Sequence, residues 1–186
     1  MRAAVADLVL CLQQQGIAYF LGGAVASILH GEIRTTRGID VVLELAPTQS
    51  GLLVAGLMAN FFVDPATLQL GVARSGWCLV IHRSTGCRVV MFWRRERAYS
   101  RIEMARRQPV ELIPGLSAQV ATAEDCVLSK LEWYEMGGRV SERQWRDVLG
   151  ILKAQRERLD LGYMREWAKE LRVSDLLKRA CGEAGL

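Results

Sequence analysis

Val5, Leu8, Val9 and Leu12 recur at the spacing of one helix face, and Gly16 follows the run. The pattern predicts an amphipathic helix over residues 3–15, with its apolar stripe covering a sheet. Residues 19–44 then read Y-F-L-G-G-A-V-A-S-I-L-H-G-E-I-R-T-T-R-G-I-D-V-V-L-E: strand, paired glycines, short helix, basic turn, second strand. Side chains alternate along a strand, so the second strand sets Gly38, Asp40, Val42 and Glu44 on one face. Pro47 opens a second helix running to about Asn60, and Asp64-Pro65 starts a short segment that ends near Gly76. β-rich runs at residues 77–82 and 87–93 flank the turn Arg83-Ser84-Thr85-Gly86, which predicts a hairpin.

Residues 94–107 read as a charged helix, and residues 109–113 and 116–121 as an extended pair about a Pro114-Gly115 turn. Thr122 with Asp125 three positions on marks a helix start, and the remainder is helical in pattern. Composition changes there from β-branched residues to Glu, Lys, Arg, Leu and Trp. The expected organisation is an α/β core over residues 1–121 and a C-terminal helical part over residues 122–186, packed on the core.

The chain has 186 residues, of which 51% are hydrophobic, enough for a real core. A net charge of +4 with arginines spread along the chain permits an anionic ligand without demanding a nucleic acid. The five cysteines, Cys11, Cys78, Cys87, Cys126 and Cys181, form no C-x-x-C pair, which argues against a zinc ribbon or a disulfide framework and for reduced thiols. No apolar run reaches the roughly eighteen residues that span a bilayer. The expectation is a soluble, cytoplasmic protein with no membrane partner.

Candidate chemistry centres on residues 19–44. Glycines at a strand-to-helix junction let backbone N–H groups approach a phosphate, and the helix start adds partial positive charge. Gly22 and Gly23 occupy such a junction, although a tight turn needs glycine with or without a ligand. Asp40 follows on the next strand, and Arg34 and Arg37 lie between, where bidentate pairing with phosphate oxygens is open to them. An ion pair of Asp40 with Arg34 or Arg37 is the simpler alternative. The two histidines, His30 and His82, belong to no H-x-x-x-H pattern, and no G-x-S-x-G is present, so metal-hydrolase and serine-hydrolase readings are poor. Trp133, Trp145 and Trp167, at wide helical spacing, read as core anchors.

Taken together, Gly22, Gly23, His30, Gly31, Arg34, Thr36, Arg37 and Asp40 resemble the signature of the nucleotidyltransferase superfamily, a G-G or G-S turn followed by R-x-T-x-D-x-D. The likeness is to its small bacterial members related to abortive-infection type toxins. A second resemblance lies in A-E-D-C-V-L-S-K-L at residues 123–131, then Arg139 and Trp145-Arg146-Asp147-Val148, similar to segments that follow the catalytic core in these proteins. The departures are Gly38, where the family has the first aspartate of D-x-D, and Val90 in Arg88-Val89-Val90-Met91-Phe92, where it has a third carboxylate.

The resemblance implies a mixed sheet flanked by helices, a nucleoside triphosphate as ligand, and Asp40 as the catalytic and metal-binding carboxylate. It implies phosphate contacts from Gly22, Gly23, Arg34, Arg37 and Lys130, the last on a helix that the family fold brings to the site, with Glu124 and Asp147 available to order Lys130, Arg139 and Arg146. Phosphoryl chemistry of this type uses two Mg2+ ions about 3.5–4 Å apart. Glu44, about 13 Å along the strand from Asp40, cannot replace the lost carboxylates. The implied function is a nucleotide-binding member whose Mg2+ site and transferase activity are weakened or lost. Two readings stay open beside it. One is a working toxin-like enzyme with an altered metal site and an RNA or protein acceptor; the other is a non-catalytic interaction or regulatory protein with an antitoxin-like partner.

Overall fold

A computed structural model describes residues 1–31, 34–36, 38–74 and 76–186, with Pro47 described in its backbone alone. Among the described residues seven strands form one mixed sheet: β1 (Ala18–Leu21), β2 (Gly38–Glu44), β3 (Phe61–Phe62), β4 (Trp77–His82), β5 (Arg88–Trp93), β6 (Gln108–Ile113) and β7 (Leu116–Val120). Their order is β3-β4-β5-β2-β1-β7-β6. The helices are α1 (Arg2–Gln14), α2 (Gly23–His30), α3 (Ser50–Met58), α4 (Pro65–Ala73), α5 (Ala98–Arg106), α6 (Ala123–Met136), α7 (Glu142–Gln155), α8 (Leu161–Glu170) and α9 (Ser174–Ala184). The α/β class and the mixed sheet flanked by helices are as expected, the sheet type from the resemblance. The chain divides into two compact units, one of residues Met1–Ala24 and Thr36–Val120, the other of Val25–Thr35 and Ala121–Leu186.

In the sheet unit, β2 runs antiparallel to β1 and parallel to β5. Alternation buries Ile39, Val41 and Leu43 on one face of β2, with Val89, Met91 and Trp93 beside them on β5. Leu8 and Leu12 of α1, Leu53 and Leu57 of α3 and Leu68 of α4 complete this core. The other face leaves Gly38, Asp40, Val42 and Val90 half-buried. Side chains of both faces are apolar along β4 and β5, so these strands show weak alternation in sequence.

His82 fastens α1 to the β4–β5 hairpin. It is buried, its Nε2 lies 2.8 Å from Asp7 Oδ2 and its Nδ1 2.8 Å from Thr85 Oγ1. His82→Leu keeps the volume apolar and removes both hydrogen bonds, while Asp7 and Thr85 stay within reach of water, so the expected loss is about 0.5–1.5 kcal/mol. A lowered urea midpoint with an unchanged m-value checks it.

The charged segment is helical only from Ala98. Arg94 N donates to Leu43 O at 2.8 Å, prolonging the sheet, while its guanidinium reaches Glu44 and Glu96, each at 2.8 Å. These bonds hold residues 94–97 outside the helix, against the propensity of the run. Similarly, the helix expected from Pro47 opens as a 3-10 turn, Pro47–Gln49, before α3 begins.

In the helical unit, Thr122 accepts from Asp125 N, as its capping pattern predicts. Val127, Leu128 and Leu131 of α6, Val148, Ile151 and Leu152 of α7, and Leu176, Leu177 and Ala180 of α9 are its buried apolar stripes. Residues 25–35 join this unit through Gly31. A Cβ there would stand 2.4 Å from Ala154 Cβ and 2.8 Å from Gly150 O, so the end of α2 lies closer to α7 than any larger residue permits. Gln155 Nε2 donates to His30 O at 2.8 Å beside it.

The tryptophans depart from expectation. Trp133 is exposed and Trp145 and Trp167 are half-buried, whereas Trp93 is buried. Trp145 keeps its ring at the surface because Nε1 donates to Glu183 at 2.9 Å and the Arg179 guanidinium stacks over the ring at 4.4 Å. Amphipathic rings with a polar handle settle at such boundaries.

Candidate functional site

The paired glycines join β1 to α2 in the sheet unit. Gly22 N donates to Asp40 O at 2.9 Å, which ties the turn to β2 at the position of the carboxylate. Gly23 has φ +50°, and a Cβ on it would stand 1.9 Å from Asp40 Oδ2. The turn and the carboxylate therefore touch, and the second glycine is required both by its left-handed backbone and by that approach. The start of α2 brings the positive end of the helix dipole to the turn.

Strand register fixes what surrounds Asp40. Val90 lies directly beside it on β5, and Gly38 beside Arg88. Thr36 Oγ1 bonds Gly38 O at 3.1 Å and receives Gly38 N at 3.3 Å, closing the chain into β2. Both positions where the superfamily signature would place further carboxylates thus fall on the Asp40 face, and both side chains lack oxygen. Glu44 is held by Arg94 instead. Among the described residues no group of three or more His, Cys, Asp or Glu could hold a metal ion.

Arg34 and Lys130 come together in the helical unit, on Asp147. Arg34 Nε and Nη2 donate to the two Asp147 carboxylate oxygens, each at 2.9 Å, and Lys130 Nζ donates to Oδ2 at 2.7 Å. Lys130 also reaches Gln144 Oε1 at 3.1 Å. Asp147 is completely buried and Lys130 nearly so. Burial acts to raise the Asp147 pKa, but the hydrogen bonds and charges of Arg34 and Lys130 outweigh it and hold the carboxyl below its ordinary value. Glu124, the other acid expected to order Lys130, accepts from Asp160 N at 3.1 Å. Arg37 lies outside the described residues.

Two features escaped sequence reasoning. The contact between Gly23 and Asp40 depends on β1–β2 register, which no local pattern encodes. The bidentate pairing of Arg34 with Asp147 spans 113 positions; spacing cannot reveal it, although Asp147 in the middle of an amphipathic helix is an acidic residue at a core position and so calls for a partner.

No protein-family model matches the chain, and no curated protein matches it. Solved structures do. An antigenic nucleotidyltransferase-like protein from Paracoccidioides brasiliensis superposes with TM-score 0.68 at 16% identity, over 98% of this chain and 90% of that one. ANT(2")-Ia in complex with adenylyl-2"-tobramycin gives TM-score 0.56 at 12% identity, over 91% of this chain and 95% of that one. The lincosamide antibiotic adenylyltransferase LnuA, lincomycin-bound, gives 0.51 at 12% identity, over 80% and 92%. Identities this low speak to architecture, and on that level the likeness extends over most of every chain compared: this protein is built on the nucleotidyltransferase fold.

Proposed function

We propose that the protein binds a nucleoside triphosphate at the Gly22–Gly23 turn and has weak or no nucleotidyl-transfer activity. The observation that carries the reading is the Asp40 carboxylate held against Gly23, with Val90 beside it in register. The start of α2 supplies the positive end of its dipole for a phosphate, and Gly23 keeps the approach free of a side chain. Asp40 supplies one hard oxygen ligand, enough to meet a Mg2+ that arrives with the triphosphate. A site with one carboxylate lacks the second and third oxygen donors by which two-ion enzymes clamp the attacking and leaving oxygens.

Arg34 and Lys130 are not needed for this proposal. Their charged groups are committed to Asp147, and taking either away would leave a buried carboxylate short of a partner. Both side chains already donate to Asp147, so neither is placed to act on a bound triphosphate.

Calorimetric titration with ATP, GTP, CTP and UTP in the presence of Mg2+ tests the binding. Heat that vanishes on chelation and in Asp40→Asn is the expected result; silence with all four nucleotides at millimolar concentration would sink the reading. For transfer, each radiolabelled triphosphate is offered with pooled tRNA, cell extract, an aminoglycoside or a lincosamide as acceptor. Strong labelling that disappears in Asp40→Ala would establish an active enzyme with an altered metal site.

A further expectation concerns the lost carboxylates. Gly38 has an ordinary backbone, and a Cβ there would lie 3.3 Å from Arg88 O, a gap that opens with a small shift. Gly38→Asp with Val90→Asp should therefore fold, and should make the melting temperature rise with Mg2+ or Mn2+ where the parent protein responds weakly. Identical metal responses of the two proteins would remove Val90 from the site.

A further inference from the structure

The face that carries Asp40 continues away from it across β5, β4 and β3. Antiparallel pairing sets Leu79 beside Val90, Trp77 beside Phe92, Ile81 beside Arg88, and Phe62 beside Ile81, so all these side chains share that face. Near the sheet edge it is open to solvent. Trp77 is 60% exposed, Phe62 56% and Ile81 38%. An aromatic and aliphatic face left this open on one sheet marks an interaction surface.

Two guanidinium groups border it. Arg83, in the turn after β4, lies with its guanidinium carbon 4.2 Å from the centroid of the Phe62 ring. Arg88 is exposed on the face itself, opposite Ile81. Among the described residues neither arginine forms an ion pair. The acids on the β2 positions of this face are Asp40, at the glycine turn, and Glu44, which Arg94 holds. The outer part of the face is thus apolar, aromatic and positively charged.

We propose that this face binds single-stranded nucleic acid. Unpaired bases stack on aromatic side chains and on guanidinium planes, and guanidinium groups meet phosphate oxygens in bidentate fashion. Trp77 and Phe62 supply the stacking surfaces, the Arg83 plane extends the one at Phe62, and Arg88 with Arg83 supplies the phosphate contacts. A duplex keeps its bases stacked on each other and offers nothing to Trp77 or Phe62. A second copy of the chain docked through the same face would bring Arg83 and Arg88 of both protomers into one apolar interface, with no acid left over to neutralise them. The surface does not use the glycine turn, so it stands whether or not a triphosphate binds there.

Fluorescence anisotropy with labelled oligouridylate, oligothymidylate and a matched duplex tests the proposal. The expected result is binding of a single strand, weaker binding of the duplex, and a loss of roughly 5- to 100-fold in each of Trp77→Ala and Phe62→Ala. Arg83→Gln with Arg88→Gln should weaken binding and flatten its dependence on salt by about 1.4 in the log–log slope, because two phosphate contacts are lost. All four side chains are at exposed positions, so the variants are expected to fold, and circular dichroism verifies it. The proposal is overturned if neither single strand binds at low salt, or if binding survives the aromatic substitutions unchanged. It is equally overturned if sedimentation shows a dimer that Trp77→Glu dissociates, since that result assigns the face to a second copy.

Discussion

Asp147→Ala is expected to lower stability by about 3–5 kcal/mol, because removing one member of a buried ion cluster leaves the others charged and unpaired. Asp147 is completely buried and holds the Arg34 guanidinium through both oxygens and the Lys130 ammonium through one. A loss of that size is a large part of the 5–15 kcal/mol typical of a domain. Replacing the whole cluster should do much less harm than breaking it: Arg34→Met, Lys130→Met and Asp147→Leu together remove every charge of the cluster while keeping most of its volume. Urea denaturation of the single and triple variants checks the contrast. If the single variant is as stable as the parent protein, the cluster contributes nothing.

The same cluster sets a pH dependence whose sign is fixed. The Asp147 carboxyl is held below its ordinary value of 3.8 in the folded protein. Its contribution is therefore fully present above that unfolded value and is lost as pH falls through the lower, folded one. The stability gap between the parent protein and Asp147→Asn should be constant near neutrality and close under strongly acidic conditions. A gap that instead narrows between pH 6 and pH 8 would assign the effect to another group, since roughly neutral pKa values belong to histidine.

Much of the sheet was legible because its strands are short apolar runs bounded by recognisable turns. The β4–β5 hairpin and the β6–β7 pair about Pro114-Gly115 came from turn chemistry and apolar content. Thr122 and Asp125 located the start of α6 because a cap is a local device. What local pattern could not supply was competition from distant partners. Residues 94–97 have helix-compatible composition, yet Leu43 and Glu44 on a neighbouring strand take the Arg94 amide and guanidinium. Tryptophan placement failed for a related reason. Size argued for burial, whereas Glu183 and Arg179 gave the Trp145 ring a partner at the surface.

Of the contacts among the candidate residues, the sequence order suggested some and packing decided the others. Gly22, Gly23 and Asp40 stand in contact because the turn and the carboxylate lie on neighbouring, hydrogen-bonded strands. Arg34 was read as a phosphate contact because it lies between the glycine turn and Asp40, and Lys130 because the resemblance implied a helix brought to the site. The anion the fold provides is its own Asp147. Charge type is visible in a sequence, but which opposite charge reaches it first is decided by packing.

Gly23→Ala is the second large effect, and it tests the turn directly. The substitution puts a Cβ into a residue at φ +50°, a conformation that costs an L-residue about 1–2 kcal/mol. It also places that carbon 1.9 Å from Asp40 Oδ2 and 2.8 Å from Asp40 Cβ, so the carboxylate must move, at a further cost of about 1–3 kcal/mol. The expected total is roughly 2–5 kcal/mol. Asp40→Gly in the same chain removes the atoms in the way, so the double variant should recover the steric part and keep the backbone part. The two substitutions should then be non-additive by about 1–3 kcal/mol, as residues in contact are. Additive losses would mean that Gly23 and Asp40 do not touch in solution. At a temperature where Gly23→Ala remains folded, triphosphate binding should nevertheless be lost, because the added methyl group occupies the approach to the first N–H groups of α2 and displaces the single carboxylate beside them.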